Sequence, residues 1–183
     1  MSSPRGLIIA APASGSGKTL LTLGLLRALR DAGHAVAGAK AGPDYIDPAF
    51  HTAASGRPAF NLDPWAMRPE TLAGLLSGAA QTTDTIIVEG VMGLFDGIHL
   101  PDRPDAGSTA DLAAMTGWPV VLVVDAAKQA ASVGALMRGF VGHRADVRVA
   151  GVIFNRVASP AHEAVLRAAT NAAAPDVQLL GSV

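Results

Sequence analysis

A chain of 183 residues has the length of one ordinary domain, and 50% of its residues are hydrophobic while only 4% are aromatic, which predicts an aliphatic core. Its net charge of −1 argues against a nucleic-acid partner, and the absence of cysteine excludes disulfides, thiolate metal sites and a cysteine nucleophile in this chain. No apolar run approaches the roughly 20 residues that cross a bilayer, and no signal peptide is visible, so we expect a cytoplasmic protein with no membrane partner.

Short apolar runs alternate with longer helical segments along the chain. We predict strands at 6–11, 35–40, 85–89, 120–125, 147–155 and 177–183. We predict helices at 19–32, 49–55, 69–80, 109–116, 131–142 and 159–173. This order indicates an α/β fold with a mostly parallel central sheet and helices on both faces. Because the chain stops in a strand-like run, we expect a single domain over 1–183 that is a fragment of a longer protein.

The first predicted strand leads into the segment PASGSGKT at 12–19. It follows the phosphate-loop pattern G-x-x-x-x-G-K-[ST] between a strand and a helix, except that Pro12 replaces the first glycine. Glycines let backbone N–H groups face a phosphate, Lys18 can reach the β- and γ-phosphates, and the Thr19 hydroxyl can ligate Mg²⁺. The residues predicted to contact nucleotide here are Ser14, Gly15, Ser16, Gly17, Lys18 and Thr19. We therefore predict a three-layer P-loop NTPase fold that binds ATP and Mg²⁺.

Two long loops, 41–68 and 90–108, each follow the carboxyl end of a predicted strand, where open α/β sheets bind ligands. Lys40 ends the strand before the first loop and could stabilise charge on a transferring phosphoryl group. Asp44 and Asp47 could complete a metal site or neutralise Lys40. The same segment also fits a rigid turn in which Asp and Pro serve geometry only, and the spacing does not decide between these interpretations.

Further polar residues stand at the ends of other predicted strands. Glu89 and Asp125 are candidates to hold Mg²⁺ or its water, and Glu89 is favoured because glycines follow it. Either acid could instead cap a helix or remain solvated. The amide of Asn155 fits either recognition of the adenine edge or a turn. The five histidines show no zinc spacing, and we interpret them, His51 included, as surface or loop residues.

Six segments together resemble one family, and they are APASGSGKT at 11–19, KAGPDYIDPAFH at 40–51, NLDPW at 61–65, VEGVMGLFDG at 88–97, STADLA at 108–113 and VVDAAKQAASVGAL at 123–136. They are similar to the N-terminal synthetase domain of cobyrinic or hydrogenobyrinic acid a,c-diamide synthase. The resemblance covers essentially the whole chain, and the family shares the proline in the phosphate loop. More distantly, the domain is similar to dethiobiotin synthetase.

This resemblance implies an ATP-dependent, amide-forming ligase of cobalamin biosynthesis. Such enzymes transfer the γ-phosphoryl of ATP to a carboxylate of the corrin precursor, and ammonia then attacks the acyl phosphate. The ammonia comes from glutamine in a C-terminal glutaminase domain with a cysteine nucleophile. That domain is missing from this chain, which alone could use only free ammonia. Whether the tetrapyrrole contains cobalt stays open, and a homodimer is compatible with the sequence.

The resemblance also assigns roles to residues of this chain. The catalytic residues that it implies are Lys18, Lys40, Asp44, Asp47 and Glu89. The metal ligands that it implies are Thr19, Asp47 and Glu89. The loops 41–65 and 90–108 would form the substrate mouth, with Tyr45, Gly93 and Ser108 on its walls.

Three other interpretations stay open. A nucleotide switch of the partitioning or metal-delivery type shares the general fold, but it usually carries an early lysine in the phosphate loop, and positions 12–14 have none. A small carboxylate-activating enzyme of the dethiobiotin synthetase type would explain the length, although the segments at 40–51 and 88–97 weigh against it. The fragment could also act only as a binding module.

Overall fold

The computed structural model describes residues 5–183, which form one seven-stranded sheet and one two-stranded hairpin. The strands are β1 Gly6–Ala10, β2 Val36–Ala41, β3 Phe60–Leu62, β4 Thr85–Glu89, β5 Ile98–Leu100, β6 Arg103–Ala106, β7 Val120–Asp125, β8 Val149–Asn155 and β9 Gln178–Ser182. Every pairing in the large sheet is parallel, in the order β3-β2-β4-β1-β7-β8-β9, whereas β5 and β6 pair antiparallel. The predicted parallel α/β sheet is confirmed.

Helices cover both faces of this sheet. They are α1 Lys18–Asp31, α2 Asp47–Ser55, α3 Pro69–Ala80, α4 Thr109–Thr116, α5 Val133–Gly142 and α6 Pro160–Ala173. Alternate residues of β1 point to opposite faces, so Ile9 packs in a cluster with Leu26 of α1, while Ile8 packs in a cluster with Leu72 of α3 and Leu166 of α6. The predicted three-layer architecture is therefore confirmed. Within residues 5–183, no helix has the length and apolarity needed to cross a bilayer.

The predicted elements agree with the structure to within two residues at each end, apart from three short strands. Strand β3 and the β5–β6 hairpin lie inside the two segments that we predicted to be loops. The prediction was wrong there because β3 is only three residues long at the sheet edge. The hairpin strands are only three and four residues long, are largely exposed and contain Pro104, so their pattern is too short for strands to be recognised from sequence.

A cluster of ion pairs fastens the hairpin to the body of the domain. Arg144 Nη1 donates to Asp105 Oδ2 at 2.7 Å and to Asp111 Oδ1 at 2.8 Å, and Arg103 also pairs with Asp111. Burial raises the pKa of the Asp105 carboxyl, but the hydrogen bond and charge of Arg144 outweigh it, so this pKa lies below its usual value. Arg144 thus compensates two largely buried acids from β6 and α4.

We expect Arg144→Met to lower the free energy of unfolding by up to about 3 kcal/mol at pH 7, because those acids lose their better-buried cation and keep only the half-exposed Arg103. Asp105 has a lowered folded-state pKa, so its contribution is present above about pH 3.9 and is lost as the pH falls through the folded value. The deficit should therefore shrink as the pH falls below 4 in urea titrations at several pH values. Arg27→Met is the control, since the exposed Arg27–Asp31 pair is worth under about 1 kcal/mol. Equal losses in both variants would contradict the role given to Arg144.

Candidate functional site

The carboxyl ends of three adjacent strands bring the predicted site residues together. Strand β4 lies between β2 and β1, and their register pairs Glu89 with both Lys40 and Ile9. The segment at 12–19 follows β1 directly and leads into α1. The parallel order therefore places Lys40 and Glu89 side by side next to the glycine-rich loop, at the edge where such sheets bind ligands.

The glycine-rich loop has the backbone conformation that its glycines predict. Gly15 and Gly17 have φ angles of 77° and 97°, in the left-handed region that side chains disfavour. Gly17 is also the N-cap of α1, and no side chain caps the free N–H groups of the first turn. A Cβ on Gly17 would lie 2.2 Å from Asn155 Nδ2, so this glycine is required by space as well as by backbone angle.

Lys18 connects the glycine-rich loop to the segment that follows β4. Its ammonium nitrogen donates to the carbonyl oxygens of Met92, at 2.6 Å, and of Ala13, at 3.4 Å. Met92 has a φ of 49°, an uncommon angle for a residue with a side chain. Burial, assisted by the charge of Lys40, lowers the pKa of Lys18 despite the nearby acids. Glu89 and Asp96 act on this ammonium only through their charge, and its acceptors are backbone carbonyls, so a polyphosphate could contact it directly.

Glu89 is the residue on which the polar contacts of the site converge. Its Oε1 accepts from Thr19 Oγ1 at 2.5 Å and from Lys40 Nζ at 3.0 Å, while its Oε2 lies 2.8 Å from His51 Nε2. The side chain is only 1% exposed. Burial raises the pKa of Glu89, but the hydrogen bonds from His51 and Thr19 and the charge of Lys40 outweigh it and lower the pKa below its usual value. The buried carboxylate is therefore held in its ionised form.

Lys40 is held by acids from two directions. Its ammonium lies 2.5 Å from Asp47 Oδ2 and 3.0 Å from Glu89 Oε1. Burial lowers the pKa of Lys40, but the Asp47 hydrogen bond and the Glu89 charge raise it by more than burial lowers it. The pKa therefore lies above its ordinary value. Asp44 is 4.0 Å from Lys40 and accepts the backbone N–H groups of Ile46 and Asp47 at 2.8 and 3.1 Å. Asp47 thus neutralises Lys40, while Asp44 chiefly shapes the turn.

The oxygen donors of the site suit Mg²⁺. The hydroxyl of Thr19 and the carboxylate of Glu89 are adjacent, and Asp47 reaches the same ammonium group as Glu89. No group of three or more His, Cys, Asp or Glu among residues 5–183 is arranged to hold a metal by itself. Mg²⁺ typically takes one or two carboxylates and completes its shell with water and phosphate oxygens. The residues present therefore fit a metal that arrives with a nucleotide.

These residues surround an open cavity of about 400 Å³. Its lining consists of Ser14, Gly15, Gly17, Lys18, Thr19, Leu20, Lys40, Glu89, Gly90 and Met92. A groove of similar volume, about 390 Å³, runs between α3 and α4, but its lining carries no charged side chain. Of these two cavities, only the one beside the glycine-rich loop is lined by charged side chains, namely Lys18, Lys40 and Glu89, so it is the better candidate site for a charged ligand.

Only one of the three predicted wall residues of the substrate mouth is accessible. Tyr45 is 89% exposed. Gly93 is buried, and a Cβ there would lie 2.7 Å from the Pro12 carbonyl oxygen, so it packs against the glycine-rich loop. Ser108 is fully buried at the N-terminus of α4. Gly93 and Ser108 therefore present no surface to a substrate in this structure, and a place for them in the substrate mouth stays a prediction.

Two further predicted residues make contacts within the protein. Asn155 Nδ2 donates to the Ser16 carbonyl oxygen at 2.9 Å, so its amide supports the glycine-rich loop, and recognition of adenine stays a prediction. Asp125 pairs with Arg156 and accepts the Ala127 N–H at 3.0 Å, and neither Asp125 nor these partners line the cavity beside the glycine-rich loop.

His51 is a residue whose importance the sequence interpretation missed. It was interpreted as a surface or loop residue, but it is 0% exposed, lies on α2 and contacts Glu89. The interpretation was wrong because the predicted helix began at position 49, after Asp47. Because α2 begins at Asp47, His51 lies one turn after Asp47 on the same helix face. This spacing of four residues was the available sign in the sequence that His51 faces the site.

The parallel sheet, the glycine-rich loop and the lysine and threonine that open α1 define a P-loop nucleotide-binding domain. Residues 7–183 match the family model described as the CobQ/CobB/MinD/ParA nucleotide binding domain, and the chain belongs to this family.

Curated relatives that match most of this chain share one name. Hydrogenobyrinate a,c-diamide synthase of Rhizobium meliloti (strain 1021) is 60% identical over 162 residues, which are 88% of this chain and 37% of that protein. The protein of the same name from Rhodobacter capsulatus is 58% identical over 166 residues, which are 90% of this chain and 38% of that protein. The chain thus spans little more than a third of the length of these relatives.

Solved structures show the fold at much lower identity. The hydrogenase maturation factor HypB of Archaeoglobus fulgidus has a TM-score of 0.59 and 19% identity, and the match covers 98% of this chain and 81% of that one. Chloroplast FtsY of Physcomitrella patens has a TM-score of 0.65 and 17% identity over 98% of this chain and 58% of that one. Similarity at this level supports the three-layer fold and nothing more specific.

We expect Gly17→Ala to weaken nucleotide binding by roughly tenfold, because a φ strain of about 1–3 kcal/mol and the displacement of Asn155 by the new methyl group would both move the loop out of this conformation. Isothermal titration calorimetry with nucleotide measures the loss. Gly24→Ala is the matched control, since Gly24 is an exposed residue of α1 with open space around it, and alanine favours helix there. Wild-type affinity in Gly17→Ala would show that the left-handed turn is not part of the binding site.

Proposed function

We propose that this chain is the ATP-dependent synthetase domain of a hydrogenobyrinate or cobyrinate a,c-diamide synthase. The observation that carries the proposal is Lys40, a second buried cation held by Asp47 and Glu89 beside the phosphate loop. A nucleotide switch passes the phosphoryl group to neutral water, whereas transfer of a phosphoryl group to a carboxylate brings two anions together. A second fixed ammonium offsets that repulsion. The name shared by relatives at 58–60% identity supports the same choice of reaction.

The proposed reaction solves a problem of leaving groups. A carboxylate resists attack by ammonia because oxide would have to leave. Its oxygen therefore attacks the γ-phosphorus of ATP, the bond to the ADP oxygen breaks, and an acyl phosphate forms. The nitrogen of ammonia then bonds to the acyl carbon, inorganic phosphate leaves, and the nitrogen loses a proton to give the amide.

The chain's own residues divide this work between binding and orientation. Lys18 would bind the phosphates of ATP. Lys40 would contact the phosphoryl group where it is transferred to the acceptor carboxylate. Thr19, Glu89 and Asp47 would hold Mg²⁺, which when bound neutralises phosphate charge. Tyr45 at the rim is exposed and available to a large tetrapyrrole. A cytoplasmic location and a homodimer stay predictions.

We infer that the nitrogen of the amide comes from outside this chain. Hydrolysis of glutamine by a thiolate needs a cysteine, and the chain has none. In the proposed enzyme a separate glutaminase domain, expected from the resemblance, would supply ammonia to the acyl phosphate.

Nucleotide binding is tested by thermal unfolding. ATP with Mg²⁺ at a hundred times its Kd should stabilise the native state by about 2.7 kcal/mol, which raises Tm by roughly 5–10 °C in a domain of this size. Lys18→Ala should abolish most of this shift, whereas Lys128→Ala, at an exposed lysine outside the cavity lining, should keep it. An unchanged shift in Lys18→Ala would remove the phosphate loop from the site.

The chemistry is tested with cobyrinic or hydrogenobyrinic acid, ATP, Mg²⁺ and either ammonium or glutamine. We expect at most slow amidation with ammonium, faster at higher pH where more NH₃ is present, and none with glutamine. Mass spectrometry detects the replacement of OH by NH₂, and hydroxylamine traps the acyl phosphate as a hydroxamate. Amidation supported by glutamine, or phosphate release that ignores the tetrapyrrole, would contradict the proposal.

In the same assay, Glu89→Gln and Asp47→Asn should each lower kcat by about a hundredfold or more, because they remove charge while keeping shape. Asp31→Asn, in an exposed pair on α1, is the matched control and should keep the wild-type rate. Wild-type rates in the first two variants would reduce Glu89 and Asp47 to loop scaffolding.

A further inference from the structure

The two oxygens of the Glu89 carboxylate have different neighbours. Oε1 faces the phosphate side of the site, where it contacts Thr19 Oγ1 at 2.5 Å and Lys40 Nζ at 3.0 Å. Oε2 lies 2.8 Å from His51 Nε2, on the side of α2. The terminal torsion of a glutamate is broad and roughly two-fold, so the chain torsions alone do not hold the carboxylate plane. Thr19 and Lys40 hold Oε1, and the contact with His51 adds a restraint on Oε2 that fixes the plane of the carboxylate.

The hydrogen in this contact belongs to His51. A carboxylate accepts hydrogen bonds only, so Nε2 must be the donor to Oε2. The other ring nitrogen, Nδ1, is buried and has no hydrogen-bond partner among residues 5–183. The ring therefore donates one hydrogen bond to Glu89 through Nε2 and makes none through Nδ1, although a buried polar atom without a partner is unfavourable. Packing does not require a histidine at such a position, since an apolar side chain would avoid the unpartnered nitrogen.

The backbone around His51 leaves the ring little freedom to move. A Cβ on Gly38 of β2 would lie 2.6 Å from His51 Cβ, so helix and strand approach each other closely at this point. On the other side, the Ser55 hydroxyl donates to the His51 carbonyl oxygen at 2.8 Å. The imidazole is 0% exposed, which excludes direct contact with nucleotide or substrate. Any effect of His51 on the reaction must therefore pass through Glu89.

We propose that His51 is a positioning residue that holds Glu89 Oε2, so that Oε1 faces Thr19 and the Mg²⁺ that arrives with the nucleotide. The proposal rests on the proposed function, because it requires a metal–nucleotide complex in the cavity. It adds a residue that the sequence interpretation left on the surface. Partners of this kind, which orient a metal ligand through its second atom, change metal affinity by about 10–100-fold when they are removed.

The test measures ATP binding by calorimetry without tetrapyrrole, once with Mg²⁺ and once with a chelator. We expect His51→Leu to weaken binding with Mg²⁺ by about tenfold and to leave binding in the chelator unchanged. His51→Gln can place its amide N–H near the position of Nε2 and should restore most of the affinity. His51→Asn is too short to reach Glu89 and should behave like His51→Leu.

A double-mutant cycle with Glu89→Gln separates positioning from packing. If His51 acts through the Glu89 carboxylate, His51→Leu should cause no further loss in the Glu89→Gln background. The same tenfold loss in both backgrounds, an equal loss in the chelator, or identical behaviour of the Gln and Asn variants would overturn the proposal. Circular dichroism and Tm verify that each variant folds. If His51→Leu does not fold, the comparison of His51→Gln with His51→Asn tests the proposal in its place.

The controls also distinguish this inference from the proposed function. If the wild-type chain shows no Mg²⁺-dependent ATP binding, the proposed function fails and the role of His51 fails with it. If the wild type binds with Mg²⁺ and all His51 variants bind equally well, only the role of His51 is refuted.

Discussion

A carboxylate buried at the end of a sheet strand must be compensated, and the compensation of Glu89 organises the whole candidate site. Removal of an ionised group from water costs several kcal/mol unless charge and hydrogen bonds replace the water. Thr19, Lys40 and His51 provide that replacement, and they come from α1, β2 and α2. One buried charge thus determines how three elements approach each other at the carboxyl edge of the sheet.

This compensation also determines what the site accepts. Its two lysines lie close to more acids than they can balance, namely Glu89, Asp47, Asp44 and Asp96. A triphosphate that entered alone would bring further negative charge into this neighbourhood. A divalent cation that travels with the phosphates removes the conflict, and the hydroxyl and carboxylate oxygens at Thr19 and Glu89 suit it. The balance of charge therefore favours a metal–nucleotide complex over the free nucleotide.

Much of this arrangement is predictable from local sequence because strand ends and glycines are local signals. The apolar runs before Lys40, Glu89 and Asn155 predicted that each residue lies at the carboxyl end of a strand. Parallel pairing then places these strand ends at one edge of the sheet. The contact between His51 and Glu89 joins residues 38 positions apart. Neither local segment alone predicts that these two side chains meet. The burial of Ser108 likewise depends on how the hairpin and α4 pack. This packing cannot be predicted from a segment that lacks apolar periodicity.

The hydrogen bond from Lys18 to the Met92 carbonyl has a consequence for communication within the domain. In the proposed complex, nucleotide phosphates would compete for the same ammonium group and weaken its hydrogen bond to the segment after β4, where Met92 has an uncommon backbone angle. Occupancy of the phosphate loop and the conformation of that segment are then thermodynamically linked. Linkage is reciprocal, so a molecule that rearranges the segment around Met92 changes the affinity for nucleotide by the same factor.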